Sequence, residues 1–113
     1  MTFKFVFMPR FDRSVKQLQK RFPHINADIA AALTLIEDNP QSGDVIPHDF
    51  NIRKLRVASK DMQRGKSGGF RLLYKLITKE EDLIANLLFI YAKADQEDVS
   101  SDLLEQLSDE VDE

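Results

Sequence analysis

The stretch FRLLYKLITKEEDLIANLLFIYAK, residues 70–93, decides the fold. Residues 70–77 combine aliphatic and aromatic side chains and predict one strand, and the polar residues 79–82 predict a turn. Residues 83–93 are apolar on both faces, which is typical of a strand with neighbours on both sides. The stretch therefore predicts a hairpin within a mainly antiparallel sheet.

The residues before this hairpin predict an N-terminal strand and two helices. Phe3, Phe5 and Phe7 alternate with other residues, which is the period of a strand. Asp12 or Ser14 would cap the helix that follows. Apolar residues recur at helical spacing in two segments, Val15, Leu18 and Phe22, then Ile29, Leu33 and Ile36.

The residues between the helices and the hairpin predict one more strand with loops on either side. Residues 40–50 predict a loop, and residues 52–58 predict a strand. Its period of two places Lys54 and Arg56 on one face. Residues 60–69 contain glycines and predict a second loop.

The C-terminal residues predict an acidic helix. Ser100 or Ser101 would cap it, and its apolar residues recur at helical spacing: Leu103, Leu104, Leu107 and Val111. The predicted fold is therefore α+β in a single domain, residues 1–113. It has an N-terminal strand, a helical hairpin, a mainly antiparallel sheet (β-α-α-β-β-β) and a C-terminal acidic helix.

The composition excludes several classes of protein. Of the 113 residues, 42% are hydrophobic and 31% are charged, which is typical of a globular domain. The absence of cysteine excludes a disulfide scaffold and a thiolate metal site. The longest apolar run is too short for a membrane span, and the first residues lack the apolar segment of a signal peptide. We therefore expect a cytoplasmic protein without a membrane partner.

The charges are segregated along the chain, although the formal net charge is only −3. Residues 53–79 carry nine basic side chains and one acid, whereas residues 94–113 carry nine acids and neither Lys nor Arg. The basic segment indicates binding to a polyanion such as RNA or DNA, with a solvated basic surface as the alternative. Two hypotheses fit the acidic segment. It is either a solvated helix that packs its leucines, or an RNA mimic that folds near the basic residues and partly screens them.

Four segments carry a resemblance to a known family: LRVASK (residues 55–60), RGKSGGFRLLY (64–74), FIYAK (89–93) and GDVI (43–46). They resemble the RelE/ParE superfamily of bacterial toxins from type II toxin–antitoxin systems, and within it the HigB/RelE-like branch. The resemblance implies a RelE-like fold, a toxin that enters the ribosomal A site and cuts mRNA, and a cognate antitoxin that silences it. It implies neither a metal nor another cofactor, because such ribonucleases use the ribose 2′-hydroxyl as the nucleophile.

This chemistry requires a base for the 2′ proton, cations for the phosphorane and an acid for the leaving 5′-oxygen. Arg71 is the candidate clamp for the transition state, as the resemblance also implies, because a guanidinium matches two phosphate oxygens. It follows Gly68 and Gly69, which would let the backbone approach a ligand closely. Lys54 or Lys66 would act as the base if neighbouring cations lower its pKa.

Further basic and aromatic residues complete the candidate site. Arg56 and Arg64 would hold phosphates, and Lys60 would contribute to RNA binding. The resemblance implies an aromatic and a basic residue near the end of the last strand, where Tyr91 and Lys93 lie. These two would stack on a base or complete the acid–base set.

Two other functions are open from the sequence alone. One is a ParE-like inhibitor of DNA gyrase, which binds a protein and cuts no RNA. The other is a non-catalytic RNA-binding or ribosome-binding module. The basic cluster around Arg71 favours the nuclease, because a gyrase inhibitor needs no phosphate-cleaving residues. Neither His24 nor His48 falls where the resemblance would place a catalytic residue.

Overall fold

The predicted α+β order of strands and helices is confirmed, and one short strand is added to it. The computed structural model describes residues 2–62 and 68–111. Its elements are, in chain order, β1 (Thr2–Phe7), α1 (Pro9–Gln19), α2 (Ile25–Asp38), β2 (Asp44–Val45), β3 (Ile52–Val57), β4 (Phe70–Lys79), β5 (Asp82–Ala92) and α3 (Ser101–Asp109). The added strand, β2, lies within the predicted loop. None of the helices in the described ranges has the length and apolarity needed to cross a lipid bilayer.

The strands form one mixed sheet in the order β1-β5-β4-β3-β2. β1 runs parallel to β5, and each of the other neighbouring pairs is antiparallel. β5 therefore lies between two strands, as its apolar character predicted. The β4–β5 hairpin pairs from Phe70 opposite Ala92 to Lys79 opposite Asp82, and it forms the middle of the sheet.

The helical hairpin covers one face of the sheet. Its core combines helix and strand residues, including Phe11, Leu18, Ile29, Ile36, Leu55, Phe70, Leu72 and Leu87. α1 begins at Pro9 and not at the predicted caps, Asp12 or Ser14. A proline at the first helical position is preorganised for the helix and lacks the N–H group that would be unpaired there. Ser14 is instead buried inside the helix.

The helix α3 covers the opposite face of the sheet. Ser100 caps it as predicted, because its Oγ accepts a hydrogen bond from the Leu103 N–H at 3.1 Å. Leu104 and Leu107 are 2% and 0% exposed. They share an apolar cluster with strand residues that include Ile52, Leu73 and Leu88. The acidic residues of α3 therefore belong to a helix whose apolar side is part of the core.

A β-bulge in β5 sets the direction of the side chains near the end of that strand. A register shift between β4 and β5 leaves Leu88 as an extra residue. Ser14 Oγ accepts a hydrogen bond at 3.2 Å from the Ile90 N–H and so satisfies a backbone donor beside the bulge. Because the bulge reverses the alternation of side chains, Leu87 faces the helical hairpin while Tyr91 faces α3.

Tyr74 holds the segment before β2 against the sheet. Its hydroxyl donates a hydrogen bond to the Pro40 oxygen at 2.7 Å and accepts one from the Gly43 N–H at 2.9 Å. A Cβ at Gly43 would lie 2.9 Å from the Tyr74 ring, so this close approach requires glycine. The adjoining residue Asp44 pairs with Lys54. The contact therefore positions the edge of the sheet where Lys54 lies.

Candidate functional site

A row of polar side chains crosses three strands on the face that α3 covers. Arg56 of β3 lies directly opposite Arg71 of β4, and Arg71 lies directly opposite Tyr91 of β5. Residues opposite each other in antiparallel strands have Cβ atoms about 4.5–5.5 Å apart. The alternation of side chains gives Lys54 the same face as Arg56, and Lys93 the same face as Tyr91. We name these five residues the basic face.

Arg71 is a buried cation without a carboxylate partner. It is 4% exposed, and its Nη1 donates hydrogen bonds to the backbone oxygens of Gly68 at 3.2 Å and Phe70 at 3.1 Å. No acidic side chain pairs with it among residues 2–62 and 68–111. Burial of a charge without a counter-ion costs free energy. The site is therefore suited to an anionic ligand that supplies the missing charge.

The glycine before β4 serves backbone packing. Gly69 has a φ of +80°, and a Cβ there would lie 2.4 Å from the Val57 carbonyl oxygen. The close approach that the sequence predicted toward a ligand is in fact an approach to the neighbouring strand β3. Because Gly69 fixes the start of β4 against β3, it sets the position of Arg71 relative to Arg56.

Both lysines of the basic face pair with acids of the segment after β5. Lys54 Nζ lies 3.2 Å from Asp98 Oδ1, and Lys93 Nζ lies 2.7 Å from Glu97 Oε1. Two acids of the segment, Glu97 and Asp98, thus lie beside basic residues as one of the two hypotheses predicts, while mimicry of RNA stays a prediction. The environment of Lys54 therefore includes a carboxylate as well as the cations that the sequence pattern predicts.

Tyr91 carries a buried hydroxyl without a hydrogen-bond partner. The residue is 4% exposed, and its Oη has no partner in the part of the chain that the structure describes. Burial raises the pKa of the Tyr91 hydroxyl, the negative charge of Asp98 adds to this effect, and the positive charge of Arg71 opposes it. Tyr91 is therefore a neutral proton donor on the basic face.

We expect Tyr91 to ionise at a higher pH than free tyrosine, whose pKa is about 10. The raised pKa means that the folded protein holds this proton more tightly than the unfolded chain does. The stability that Tyr91 contributes is thus fully present below about pH 10 and is lost as the pH rises through the folded pKa. The difference in phenolate absorbance between the wild-type protein and Tyr91→Phe measures this titration. A midpoint at or below about pH 10 would contradict the expectation.

A cleft of about 500 Å³ opens beside Lys54, between the segment that follows β2 and the start of α3. His48 and Asp98 line this cleft together with Lys54. No role was predicted for His48 from the sequence. Its φ of 109° is rare for a residue other than glycine, and no sequence pattern reveals it. The structure therefore adds His48 to the groups that surround Lys54.

The loop after β3 carries the remaining candidates from the sequence. The Lys60 backbone N–H donates to both carboxylate oxygens of the buried Asp28, at 3.3 and 3.2 Å. Lys60 also lines a groove between α2 and the edge of β3. It is thus anchored beside α2, and Arg56 of the basic face lines the same groove. Arg64 and Lys66 lie outside the described residues.

Two carboxylate contacts near the turn between α1 and α2 have no signature in the sequence. His24 Nδ1 lies 2.6 Å from Asp61 Oδ1, and this hydrogen bond lowers the pKa of Asp61. Arg21 binds Asp95 through both of its η nitrogens, at 2.8 and 3.1 Å, which lowers the pKa of Asp95. The partners are far apart in sequence, so only the fold brings them together. They tie the loop after β3 and the acidic segment to the helical hairpin.

The basic face suits an anion with several oxygens. No known protein-family model matches the chain. Over residues 2–62 and 68–111, no three histidine or acidic side chains come together as a metal site would require. The basic face instead offers four cationic side chains and one neutral phenol. A phosphodiester, which accepts several hydrogen bonds and carries one negative charge, fits this set of donors.

Proposed function

We propose that the protein is the toxin of a type II toxin–antitoxin system, a ribosome-dependent mRNA endonuclease that inhibits translation. The observation that carries the proposal is Arg71, a buried guanidinium without a carboxylate partner in the described ranges, between Arg56 and Tyr91 in register. The two neighbouring guanidiniums repel each other in the free protein. A phosphodiester between them would remove that repulsion and supply the missing acceptors.

The reaction is an attack of the ribose 2′-oxygen on the adjacent phosphorus. The bond between phosphorus and the 5′-oxygen breaks as the new bond forms, which leaves a 2′,3′-cyclic phosphate and a 5′-hydroxyl. Negative charge increases on the non-bridging oxygens in the transition state. Arg71 donates hydrogen bonds to these oxygens, and Arg56 adds positive charge to the same phosphate.

Two proton transfers complete the reaction. Tyr91 is the candidate for the transfer to the 5′-oxygen, because its hydroxyl has no hydrogen-bond partner among the described residues and lies beside Arg71 on the basic face. The candidates for the base that accepts the 2′ proton are Lys54 and Lys66, the latter outside the described residues. Lys54 contacts Asp98 in the free protein, so an RNA phosphate would compete with that carboxylate for the ammonium group. Lys93 would bind the RNA backbone at the edge of the site.

The proposal includes two partners and a location. The mRNA in the ribosomal A site is the substrate, so the protein would act in the cytoplasm. A cognate antitoxin would lay an apolar helix or strand across the toxin and block the basic face. The order of strands and helices, with a helical hairpin after the first strand, supports a RelE-like fold.

Translation of a defined mRNA in a purified system, with and without the protein, tests this function. We expect cuts in the translated message, and the same RNA without ribosomes should stay intact. The new 5′-hydroxyl ends should accept phosphate from polynucleotide kinase without prior phosphatase treatment. A gyrase supercoiling reaction is run in parallel.

The results separate the three functions. An intact message with inhibited gyrase would favour a ParE-like inhibitor. An intact message with normal gyrase would favour a binding module in which the basic face holds RNA without cutting it. Equal cutting of free and translated RNA would contradict the dependence on the ribosome.

A further inference from the structure

The segment of residues 95–98 connects β5 to α3, and we name it the acidic strap. Each of its three carboxylates lies within ion-pair distance of a basic side chain: Asp95 with Arg21 at 2.8 Å, Glu97 with Lys93 at 2.7 Å and Asp98 with Lys54 at 3.2 Å. Lys54 and Lys93 belong to the basic face. The acidic strap thus places carboxylate oxygens against two of the four cations of the basic face.

Both ends of the acidic strap are fixed by the fold. At its start, the Asp95 N–H donates to the Ala92 oxygen at 2.9 Å, and the Asp95 carboxylate binds Arg21. At its end, Ser100 caps α3, and the buried Leu107 holds that helix on the sheet. The position of the acidic strap therefore does not depend on its contacts with the basic face.

The carboxylates between the two ends are open to water. The side chains of Glu97 and Asp98 are 82% and 73% exposed, whereas those of their partners Lys93 and Lys54 are 26% and 32% exposed. Ion pairs that are this accessible to water are weak and are screened by salt. RNA phosphates would therefore displace these carboxylates, and the acidic strap would reduce RNA affinity without abolishing it.

We propose that the acidic strap is a built-in competitor of RNA, in which Glu97 and Asp98 occupy Lys93 and Lys54 until RNA displaces them. This inference rests on the proposed function, in which the basic face binds mRNA. A competitor attached to the chain acts at a constant local concentration, so it raises the RNA concentration needed for binding by a constant factor. Binding of free RNA is thereby weakened. An mRNA held by the ribosome is present at a local concentration high enough to displace the two carboxylates.

Two double variants that remove the same charge test this inference. Glu97→Gln/Asp98→Asn removes the competing carboxylates and keeps their shape. Glu105→Gln/Asp109→Asn removes two exposed carboxylates of α3 that form no ion pair among the described residues. Anisotropy of a labelled single-stranded RNA oligonucleotide gives the affinity at about 50 mM and about 200 mM KCl. At the lower salt we expect about three- to tenfold tighter binding for the first variant and less than about twofold for the second.

The outcomes distinguish the acidic strap from the proposed function. Equal gains in both double variants would overturn the competitor, because net charge alone would explain them. Unchanged affinity in Glu97→Gln/Asp98→Asn would overturn it too, and Lys54→Ala would then show whether the basic face binds RNA at all. If the message stays uncut but Glu97→Gln/Asp98→Asn binds RNA more tightly, the nuclease function is refuted and the competitor role of the acidic strap is retained. A wild-type protein and a strap variant that both fail to bind RNA would overturn the competitor.

Discussion

Replacement of Arg71 by alanine is expected to lower the rate of mRNA cleavage at least about 100-fold. We expect it to leave the free energy of unfolding within about 1 kcal/mol of the wild-type value. The rate falls because Arg71 is a preorganised donor at the middle of the basic face, where charge acts most strongly on the transition state. The stability is kept because the loss of two hydrogen bonds to backbone oxygens is offset by relief from desolvation and from repulsion by Arg56.

Two further variants make the Arg71 result specific. Arg71→Lys keeps the charge but lacks the planar fork, so we expect an intermediate loss of about tenfold or more. Arg13→Ala removes an exposed arginine of α1 on the other side of the sheet and should leave cleavage unchanged. Cuts in the translated message give the rates, and urea unfolding gives the stabilities. Normal cleavage by Arg71→Ala would contradict its role, and strong destabilisation would indicate a structural role instead.

Side-chain alternation makes part of the basic face predictable from sequence. Lys54 and Arg56 share a face because alternate residues of a strand point in opposite directions. The bulge at Leu88 has no such local rule. The residue that satisfies the backbone beside it, Ser14, lies far away in sequence and accepts a hydrogen bond from the N–H of Ile90. Without the bulge, the side chains at the end of β5 would point to the opposite faces of the sheet, and Tyr91 would face the helical hairpin.

Long-range contacts explain the other features that the sequence does not reveal. β2 has only two residues, too few for a periodic pattern, and its pairing with β3 depends on the Tyr74 contacts that hold the preceding segment. Arginine is usually exposed, so the burial of Arg71 has no signal in the sequence. The pairing of Lys54 with Asp98 is set by the path of residues 93–100 between β5 and α3.

Leu107→Ala is expected to lower the free energy of unfolding by about 2–5 kcal/mol. Leu107 is 0% exposed and lies in the apolar cluster between α3 and the sheet. Its truncation would remove buried methyl groups and leave a cavity that a helix fixed at Ser100 closes only in part. Because small domains are stable by only about 5–15 kcal/mol, this is a large share of the total. Urea unfolding followed by circular dichroism measures the change.

Leu35→Ala is the matched control, since it removes the same atoms from a helical position that is 54% exposed. We expect its effect to lie within about 0.5 kcal/mol. Equal effects of the two variants would mean that α3 does not pack on the sheet. A large loss confined to Leu107→Ala would show that the buried side of α3 stabilises the protein, so that a deletion of residues 101–113 would remove part of the core along with the acidic residues. Neutralising the acidic strap by substitution avoids this, because it changes charge and leaves the buried side of α3 intact.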